Sequence, residues 1–399
     1  MSTRTIRHLT SAELTGRRAL VRVDFNVPLD AEGHVTDATR ILAALPTINA
    51  LLERGAKVVL LSHLGRPKGK PDARYTLAPV ARRLASALAP RTVQFLPVTV
   101  GAEAVAATHA LAPGSVLLLE NTRFFAGEEA NDDALSRQFA ELGDVYVNDA
   151  FGAAHRAHAS TAGVAKYVRP AVAGLLMERE LAFLGEALDA PERPFVAVLG
   201  GSKISGKIDV IEALLPKVDR LLIGGAMACT FFRAMGLETG TSLVEPDRLD
   251  MARDLIARAG AKLVLPLDAM VAPSMDDAAR AHVVPRESIV AGEAMFDIGP
   301  ASITRFAQEV SGARTVLWNG PMGVFEKPPF DKGTRAVAEA MVRATDAGAT
   351  TIVGGGDSAA AVSEAGLESR LTHISTGGGA SLEFLEGKVL PGVAALDQE

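Results

Sequence analysis

At 399 residues, with 48% hydrophobic and 22% charged side chains, the chain is too long for one small domain and too apolar for a disordered one, which predicts two sizeable lobes. Its single cysteine, Cys229, excludes an intrachain disulfide and a Cys-rich metal site. A net charge of −6 without a strongly basic block points away from nucleic acid as a partner.

In chain order, MSTRTIRHLT lacks the apolar core of a signal peptide. Short apolar strands then alternate with amphipathic helical stretches, the pattern of a parallel sheet covered by helices. The first half predicts strands at Ala19–Phe25, Lys57–Ser62, Thr92–Leu96, Val116–Leu119 and Val145–Val147. Leu175–Leu188 has apolar residues at helical spacing and is read as a helix joining two lobes. The second half predicts strands at Phe195–Leu199, Arg220–Ile223, Lys262–Leu267, Thr315–Trp318, Thr350–Val353 and His373–Ser375. The longest apolar run, Leu221–Phe232, is broken by two glycines and too short to cross a bilayer. The expected fold class is therefore α/β: two doubly wound parallel-sheet, Rossmann-like lobes joined by a hinge helix, with residues 1–172 in the first lobe and 173–385 in the second. Cytoplasmic residence is the matching expectation.

Ligands of open α/β sheets bind beyond the carboxyl ends of the strands, so the residues following each strand are the informative ones. The first half places there Asp24-Phe25-Asn26, His63-Leu64-Gly65-Arg66, Asn121-Thr122-Arg123 and Asn148-Asp149. The second half places there Gly200-Gly201, Gly224-Gly225, Asn319-Gly320-Pro321, Gly354–Gly356 and Gly377–Gly379. One lobe thus offers arginine, histidine and amide side chains, the other bare backbone. The contrast suggests a small, multiply charged anion on the first lobe and a nucleotide on the second. Charge runs the same way: residues 1–172 carry 20 Lys/Arg against 16 Asp/Glu (+4), residues 173–399 carry 21 against 31 (−10). Salt bridging between the halves is the alternative explanation of the asymmetry.

In RVDFNVP, Arg22, Asp24 and Asn26 alternate with apolar residues and would share one face of a strand at its exit. Arg40, Arg66, Arg123 and Arg156 are candidate anion clamps, because guanidinium grips phosphate and carboxylate with paired donors. NDAFGAAHRAHAST contains His155 and His158 three apart, but no metalloprotease glutamate follows, so an anion site or a hinge network is the better reading than a metal.

GSKISGK, Gly201–Lys207, nearly matches a P-loop, yet Ile208 stands where the Mg²⁺-holding hydroxyl is required. Lys203 and Lys207 remain four apart after a strand, within reach of one phosphate if Ser205–Gly206 opens a helix. In TTIVGGGDSAAAV a strand, three glycines and a capped alanine-rich helix bring backbone N–H groups and a positive dipole end to one point, as phosphate binding needs. Asp357 beside such a site is tolerable chiefly when Mg²⁺ bridges it to the phosphates. A tight βα turn with an ordinary Asp/Ser cap is the alternative for this stretch taken by itself.

RVDFNVP, SHLGRP, LLENTRF, NDAFGAAHRAHAST, GGSKISGK, VLWNGPMGVFE, GGGDS and STGGGASLEFLEGK occur in the order found in phosphoglycerate kinases, so the chain resembles that family from about Arg22 to Gly392. The resemblance implies a bilobed enzyme with 3-phosphoglycerate or 1,3-bisphosphoglycerate on the first lobe, Mg·ADP or Mg·ATP on the second, and a carboxyl-terminal tail (about 386–399) returning to the first. By motif position it implies Asp24, Asn26, Arg40, His63, Arg66, Arg123 and Arg156 as triose ligands. It likewise implies Gly201, Lys203, Lys207, Gly225, Asn319, Pro321, Glu326, Gly355, Gly356, Asp357 and Ser358 on the nucleotide side. Glu326 would meet the ribose and Asp357 the Mg²⁺, while Arg40 and Lys207, with amides at Gly355, Gly356, Gly378 and Gly379, would surround the phosphoryl group during in-line transfer after lobe closure. A monomer with no membrane or nucleic-acid partner is expected.

Three places depart from the family pattern. Gly206 replaces a more usual Asp or Thr, Met295-Phe296-Asp297 replaces Gly-Leu-Asp at the expected adenine wall, and Ser358 replaces Thr. None removes a charged group. A Rossmann dehydrogenase would need G-x-G-x-x-G on an early βα turn, which is absent. A silent scaffold on the same fold would have no use for so many cations at strand ends.

Overall fold

Strand β1 (Arg18–Arg22) is fully buried from Ala19 onward, as expected of a parallel strand covered by helices on both faces. With β2 (Lys57–Leu61), β3 (Val93–Leu96), β4 (Val116–Leu119), β5 (Val145–Asn148) and β6 (Ala171–Ala173) it forms an all-parallel sheet of order β3-β4-β2-β1-β5-β6. The helix Thr39–Glu53 lays Ile41, Ala44, Ile48, Leu51 and Leu52 against it at helical spacing. Winding reverses between β1 and β5, which opens a crevice at their carboxyl ends. The computed structural model describes residues 3–398.

Two compact units make up the chain, Met1–Ala182 with Val389–Glu399 and Phe183–Lys388. The division falls inside the helix Leu175–Asp189, ten residues beyond the border expected from the sequence. The first turns of that helix belong to the first unit because Asp149, just after β5, accepts the N–H groups of Leu176 (2.9 Å) and Met177 (3.2 Å). The carboxyl-terminal segment is tied into the same unit: Asn148 Nδ2 donates to the Gly392 carbonyl (3.0 Å), and Asp397 N–H donates to Ala171 (2.8 Å).

In the second unit, β7 (Phe195–Leu199), β8 (Arg220–Ile223) and β9 (Leu263–Val264) lie on one side. After an excursion, β13 (Thr315–Asn319), β14 (Thr350–Gly354) and β15 (His373–Ile374) complete a parallel sheet of order β15-β14-β13-β7-β8-β9. Its winding reverses between β7 and β13. The excursion is a separate antiparallel sheet of β10 (Asp268–Ala272), β11 (His282–Pro285) and β12 (Ala294–Ile298), in the order β11-β10-β12. Here the structure departs from expectation: the strand expected over Lys262–Leu267 is limited to Leu263–Val264, and none of these three strands is expected from local pattern. The central strand's partners are set by long-range pairing, and the exposed edge strand His282–Pro285 carries no apolar alternation. β6 likewise has no counterpart among the expected strands, being three residues long and held by pairing with β5.

β1 ends at Arg22, so Asp24 and Asn26 stand in a loop rather than on a strand face. Side chains compete for the main-chain donors there: Asn26 N–H donates to Asp24 Oδ1 (3.1 Å) and Phe25 N–H to Ser62 Oγ (2.9 Å).

One buried carboxyl in the antiparallel sheet yields a pH prediction. Asp297, 1% exposed, accepts the N–H groups of Gly333 (2.7 Å) and Ile298 (2.8 Å), yet burial pushes it up to about 8. The native state therefore holds a proton that the unfolded chain has already released between roughly pH 4 and 8. Stability must fall as pH rises through that window and level off above it. The thermal midpoint of this unit, followed by fluorescence of the sole tryptophan, buried Trp318, should drop between pH 5 and 8 more steeply in the parent protein than in Asp297→Asn. Parallel slopes would refute it.

Candidate functional site

The crevice of the first unit gathers its charged residues from four strand ends. Arg40, in the first turn of the helix Thr39–Glu53, donates to Asp24 Oδ2 (2.9 Å). Burial acts to raise the Asp24 carboxyl, but the guanidinium charges of Arg40 and Arg22, with the Asn26 N–H, hold it below the ordinary value, so it is ionised. His63 is 5% exposed; burial, with Arg22, Arg123 and Arg40 around it, depresses it well below the usual histidine range despite Asp24. It is therefore a neutral imidazole.

Asn26 Oδ1 accepts Gly65 N–H (2.8 Å) and Arg123 Nη1 donates to the Gly65 carbonyl (2.9 Å), so two candidate ligands grip the residue preceding Arg66. Asn121 Nδ2 holds the adjoining Leu64 carbonyl (2.8 Å). Burial lowers Arg123 from its usual value, although it remains a cation paired with Glu129 at 3.2 Å. Arg66 and Arg156 extend into solvent, the latter donating to His155 Nε2 (3.2 Å). His158 is buried, with its Nδ1 unpartnered, and burial among Arg22, Arg123 and Arg156 brings it down to about 4. Asp24, Arg40, His63 and Arg123 are thus brought together electrostatically, with Arg66 and Arg156 exposed at their side. A site with this much fixed positive charge suits a small polyanion.

In the second unit the glycines divide into two kinds. Gly200, Gly225 and Gly320 pack backbone to backbone at the ends of β7, β8 and β13. A Cβ on Gly320 (φ +98°) would lie 2.3 Å from the Gly200 carbonyl oxygen, and one on Gly225 (φ +70°) 2.5 Å from Gly201 N. Their loops spend main-chain donors on each other: Gly200 N–H donates to Asn319, Gly201 N–H to Pro321 and Gly225 N–H to Met322. The expected bare cradle is therefore not supplied by the amides of Gly201 and Gly225, which are already bonded. These loops bring the walls close instead.

Gly355 and Gly356 are the other kind. Gly355 (φ +89°) leads into the helix Gly356–Glu364, whose first-turn amides have no partner one turn back. Nothing stands within 4 Å of a Cβ placed on Gly356 or on Gly378 (φ +50°), which precedes the helix Gly379–Leu385. Ser358 Oγ is buried and accepts Gly320 N–H (2.6 Å), so this hydroxyl pins the helix start to the loop after β13. Asp357, in the same turn, is exposed.

Lys207 sits between a 3₁₀ turn, Ile204–Gly206, and the helix Ile208–Leu214. Its Nζ donates to Asn319 Oδ1. Burial brings the ammonium down to about 8, opposed by Asp357 and Glu386. Asn319 is 2% exposed and its Nδ2 has no partner; that donor lies 3.2 Å from where a Gly355 Cβ would be. An orphaned buried N–H, a half-buried cation and open helix amides therefore surround one point at the switch between β7 and β13. An oxyanion satisfies all three. Lys203 and Glu326 are exposed nearby in sequence to this point.

The Met295-Phe296-Asp297 departure is absorbed by packing. Met295 is buried with its Sδ 3.7 Å from Cys229 Sγ, and the Phe296 ring packs on Phe330 at 5.2 Å. Among the described residues no cluster of three His, Cys, Asp or Glu side chains can hold a metal. Asp357 by itself could serve only a cation carried largely by phosphate oxygens.

Sequence reasoning missed the buried polar chain behind His63, formed by Arg22, Ser160 and Glu128. Glu128 reads as a surface acid in AGEEAND, and no spacing rule distinguishes Ser160.

A family model described as phosphoglycerate kinase matches residues 9–388. The chain is similar to the phosphoglycerate kinase of Chloroflexus aurantiacus, 59% identical over 400 residues covering 99% of each chain. That of Chlorobium phaeovibrioides is 57% identical over 392 residues, covering 98% of each. The solved phosphoglycerate kinase of Coxiella burnetii matches with a TM-score of 0.87 at 42% identity, over 99% of this chain and 98% of that one. The Pyrococcus horikoshii OT3 enzyme matches at 0.84 and 31% identity, covering 98% of both.

Proposed function

The chain belongs to the phosphoglycerate kinase family, and from that premise we propose which of its residues carry the reaction. The activity is phosphoryl transfer to a carboxyl group, reversibly between 1,3-bisphosphoglycerate and ADP, giving 3-phosphoglycerate and ATP. In our reading Asp24, Asn26, Arg40, His63, Arg66, Arg123 and Arg156 take the triose on the first unit. Lys203, Lys207, Asn319, Glu326 and Gly355–Ser358 take the nucleotide on the second, between walls formed at Gly201, Gly225 and Pro321. The observation that supports this division best is the orphaned Asn319 Nδ2 beside half-buried Lys207 and the open Gly355–Gly356 turn.

The chemistry asks for alignment and charge neutralisation rather than proton transfer. The attacking ADP oxygen is already ionised, so no general base is needed, and charge on the equatorial oxygens of the moving group has to be met by fixed donors. Arg40, Lys207 and the amides at Gly355, Gly356, Gly378 and Gly379 are those donors. Neutral His63 donates to the triose without adding charge, and Glu326 accepts from the ribose hydroxyls. Asp357 fits a Mg²⁺ carried by the nucleotide, which would supply further neutralisation of the phosphates when bound.

The two ligand sets stand on different units, and in-line transfer needs reacting atoms about 3–3.5 Å apart, so closure of the units accompanies turnover. The protein acts as a monomer in the cytoplasm, without nucleic acid. No helix among the described residues is long and apolar enough to cross a membrane. A coupled assay of ATP formation from 1,3-bisphosphoglycerate and ADP, with and without Mg²⁺, should give Mg²⁺-dependent turnover; none with either would remove the assignment. Small-angle scattering should show the greatest compaction with both substrates bound, and equal radii in all states would refute closure.

A further inference from the structure

His63 has a fixed partner on its far side. Arg22, wholly buried, donates from Nη2 to His63 Nδ1 (3.1 Å), from Nε to Ser160 Oγ (2.8 Å) and from Nη1 to the Val23 carbonyl. Ser160 in turn donates to Glu128, through its N–H to Oε2 (2.9 Å) and its hydroxyl to Oε1 (2.5 Å). Ser160 and Glu128 are also wholly buried. The Ser160 backbone is held from the other side, since the Tyr146 hydroxyl donates to the Ser160 carbonyl (2.8 Å) and to that of Thr161 (3.0 Å).

Each donor in this chain has one possible direction. A guanidinium has no lone pair to offer, so His63 Nδ1 and Ser160 Oγ must accept from Arg22. Glu128 accepts the Ser160 hydroxyl proton, which leaves that oxygen's lone pairs for Arg22 Nε. A neutral imidazole accepting at Nδ1 carries its proton on Nε2. We propose that Glu128 and Ser160 are positioning residues of the first unit's anion site, orienting Arg22 so that His63 is held as the Nε2–H tautomer and offers a donor rather than a lone pair. Arg22, with no exposed surface and donors turned to Ser160, Val23 and His63, acts through His63 rather than by touching a ligand. The inference rests on the assignment of His63 to the triose made above, for a bare ring nitrogen facing an anion would repel it.

The test uses the full-length protein labelled with ¹⁵N-histidine, with the His63 resonances identified by their loss in His63→Asn. The parent should show a pyrrole-like Nε2 and a pyridine-like Nδ1. Ser160→Ala should move both shifts towards a tautomer mixture and raise KM for 3-phosphoglycerate roughly tenfold, the scale of a lost hydrogen bond to a charged group, with KM for MgATP unchanged. Glu128→Gln keeps the volume, presents an amide donor to Ser160, and carries the same readout should Ser160→Ala fail to fold. A single unshifted Nε2–H tautomer in either folded variant overturns the relay. A mixed tautomer with an unchanged KM for 3-phosphoglycerate supports the relay and removes His63 from the triose contacts, which separates the two claims.

Discussion

Lys207→Ala should lower kcat roughly 10²–10³-fold, the cost of removing one preorganised donor from charge that develops in the transition state. The structure gives the reason for so large an effect. Lys207 lies in a partly desolvated site, brought down to about 8 by burial and supported by Asp357 and Glu386, where a cation acts more strongly on a phosphoryl oxygen than it would in water. It rests on Asn319 Oδ1, so the charge is placed before the nucleotide arrives. The same burial sets a pH dependence. In the free protein the ammonium is present below about 8 and is lost as pH rises through that value, so kcat/KM for the nucleotide should fall on the alkaline side. kcat itself should fall only at higher pH, because bound phosphate favours the charged form. Lys207→Arg should abolish this limb, since guanidinium keeps its proton throughout, while recovering only part of the rate. A folded Lys207→Ala with unchanged kcat, or an alkaline limb that persists in Lys207→Arg, would exclude Lys207 from this role.

Arg40→Ala should also lose roughly 10²–10³-fold in kcat, with a much smaller rise in KM for 3-phosphoglycerate. The split follows from what the side chain does at rest and in the reaction. Arg40 is already paired with Asp24 at 2.9 Å, and its side chain is 35% exposed, so ground-state binding gains little from it. An arginine that turns a free donor edge to the moving phosphoryl group contributes chiefly in the transition state, and such a residue costs kcat when removed. Arg40→Lys should fail to restore the rate, because one ammonium cannot donate to Asp24 and to a phosphoryl oxygen in the planar geometry of guanidinium. Steady-state kinetics in the direction of ATP use, with saturating nucleotide, measure both constants. A raised KM with kcat intact would make Arg40 an ordinary ground-state ligand.

The two variants also differ in what they do to neighbours. Removing Arg40 takes away one of the guanidinium charges that hold the Asp24 carboxyl low, after burial has acted to raise it. Removing Lys207 leaves the Asn319 carbonyl without its cation, next to an amide nitrogen that is already unpartnered. Loss of a little stability is therefore expected in both and does not bear on the kinetic claims, provided the folded fraction is measured.

Much of this was written in the chain itself. Parallel α/β strands are short, apolar and buried on both faces, so Val116–Leu119, Phe195–Leu199 and Arg220–Ile223 stand out with their correct limits. Chemistry in such sheets sits at the carboxyl ends of strands, so the arginines, histidines and glycines after them could be located without coordinates. Tertiary structure decided what depends on partners distant in sequence. The antiparallel sheet Asp268–Ala272, His282–Pro285 and Ala294–Ile298 exists through pairing between its strands, not local pattern. Gly201 and Gly225 look like Gly355 and Gly356 in sequence, yet the first two spend their N–H groups on neighbouring loops while the second two lead an open helix start. Burial, which no motif records, brought Lys207 to about 8 and Asp297 to about 8. It also turned Glu128, to the eye a surface acid, into the end of a hydrogen-bonded chain reaching His63. Residue types and their order state which chemistry is available; the dielectric around each group, and the donors left unpaired once the loops have closed on one another, decide which of those groups can perform it.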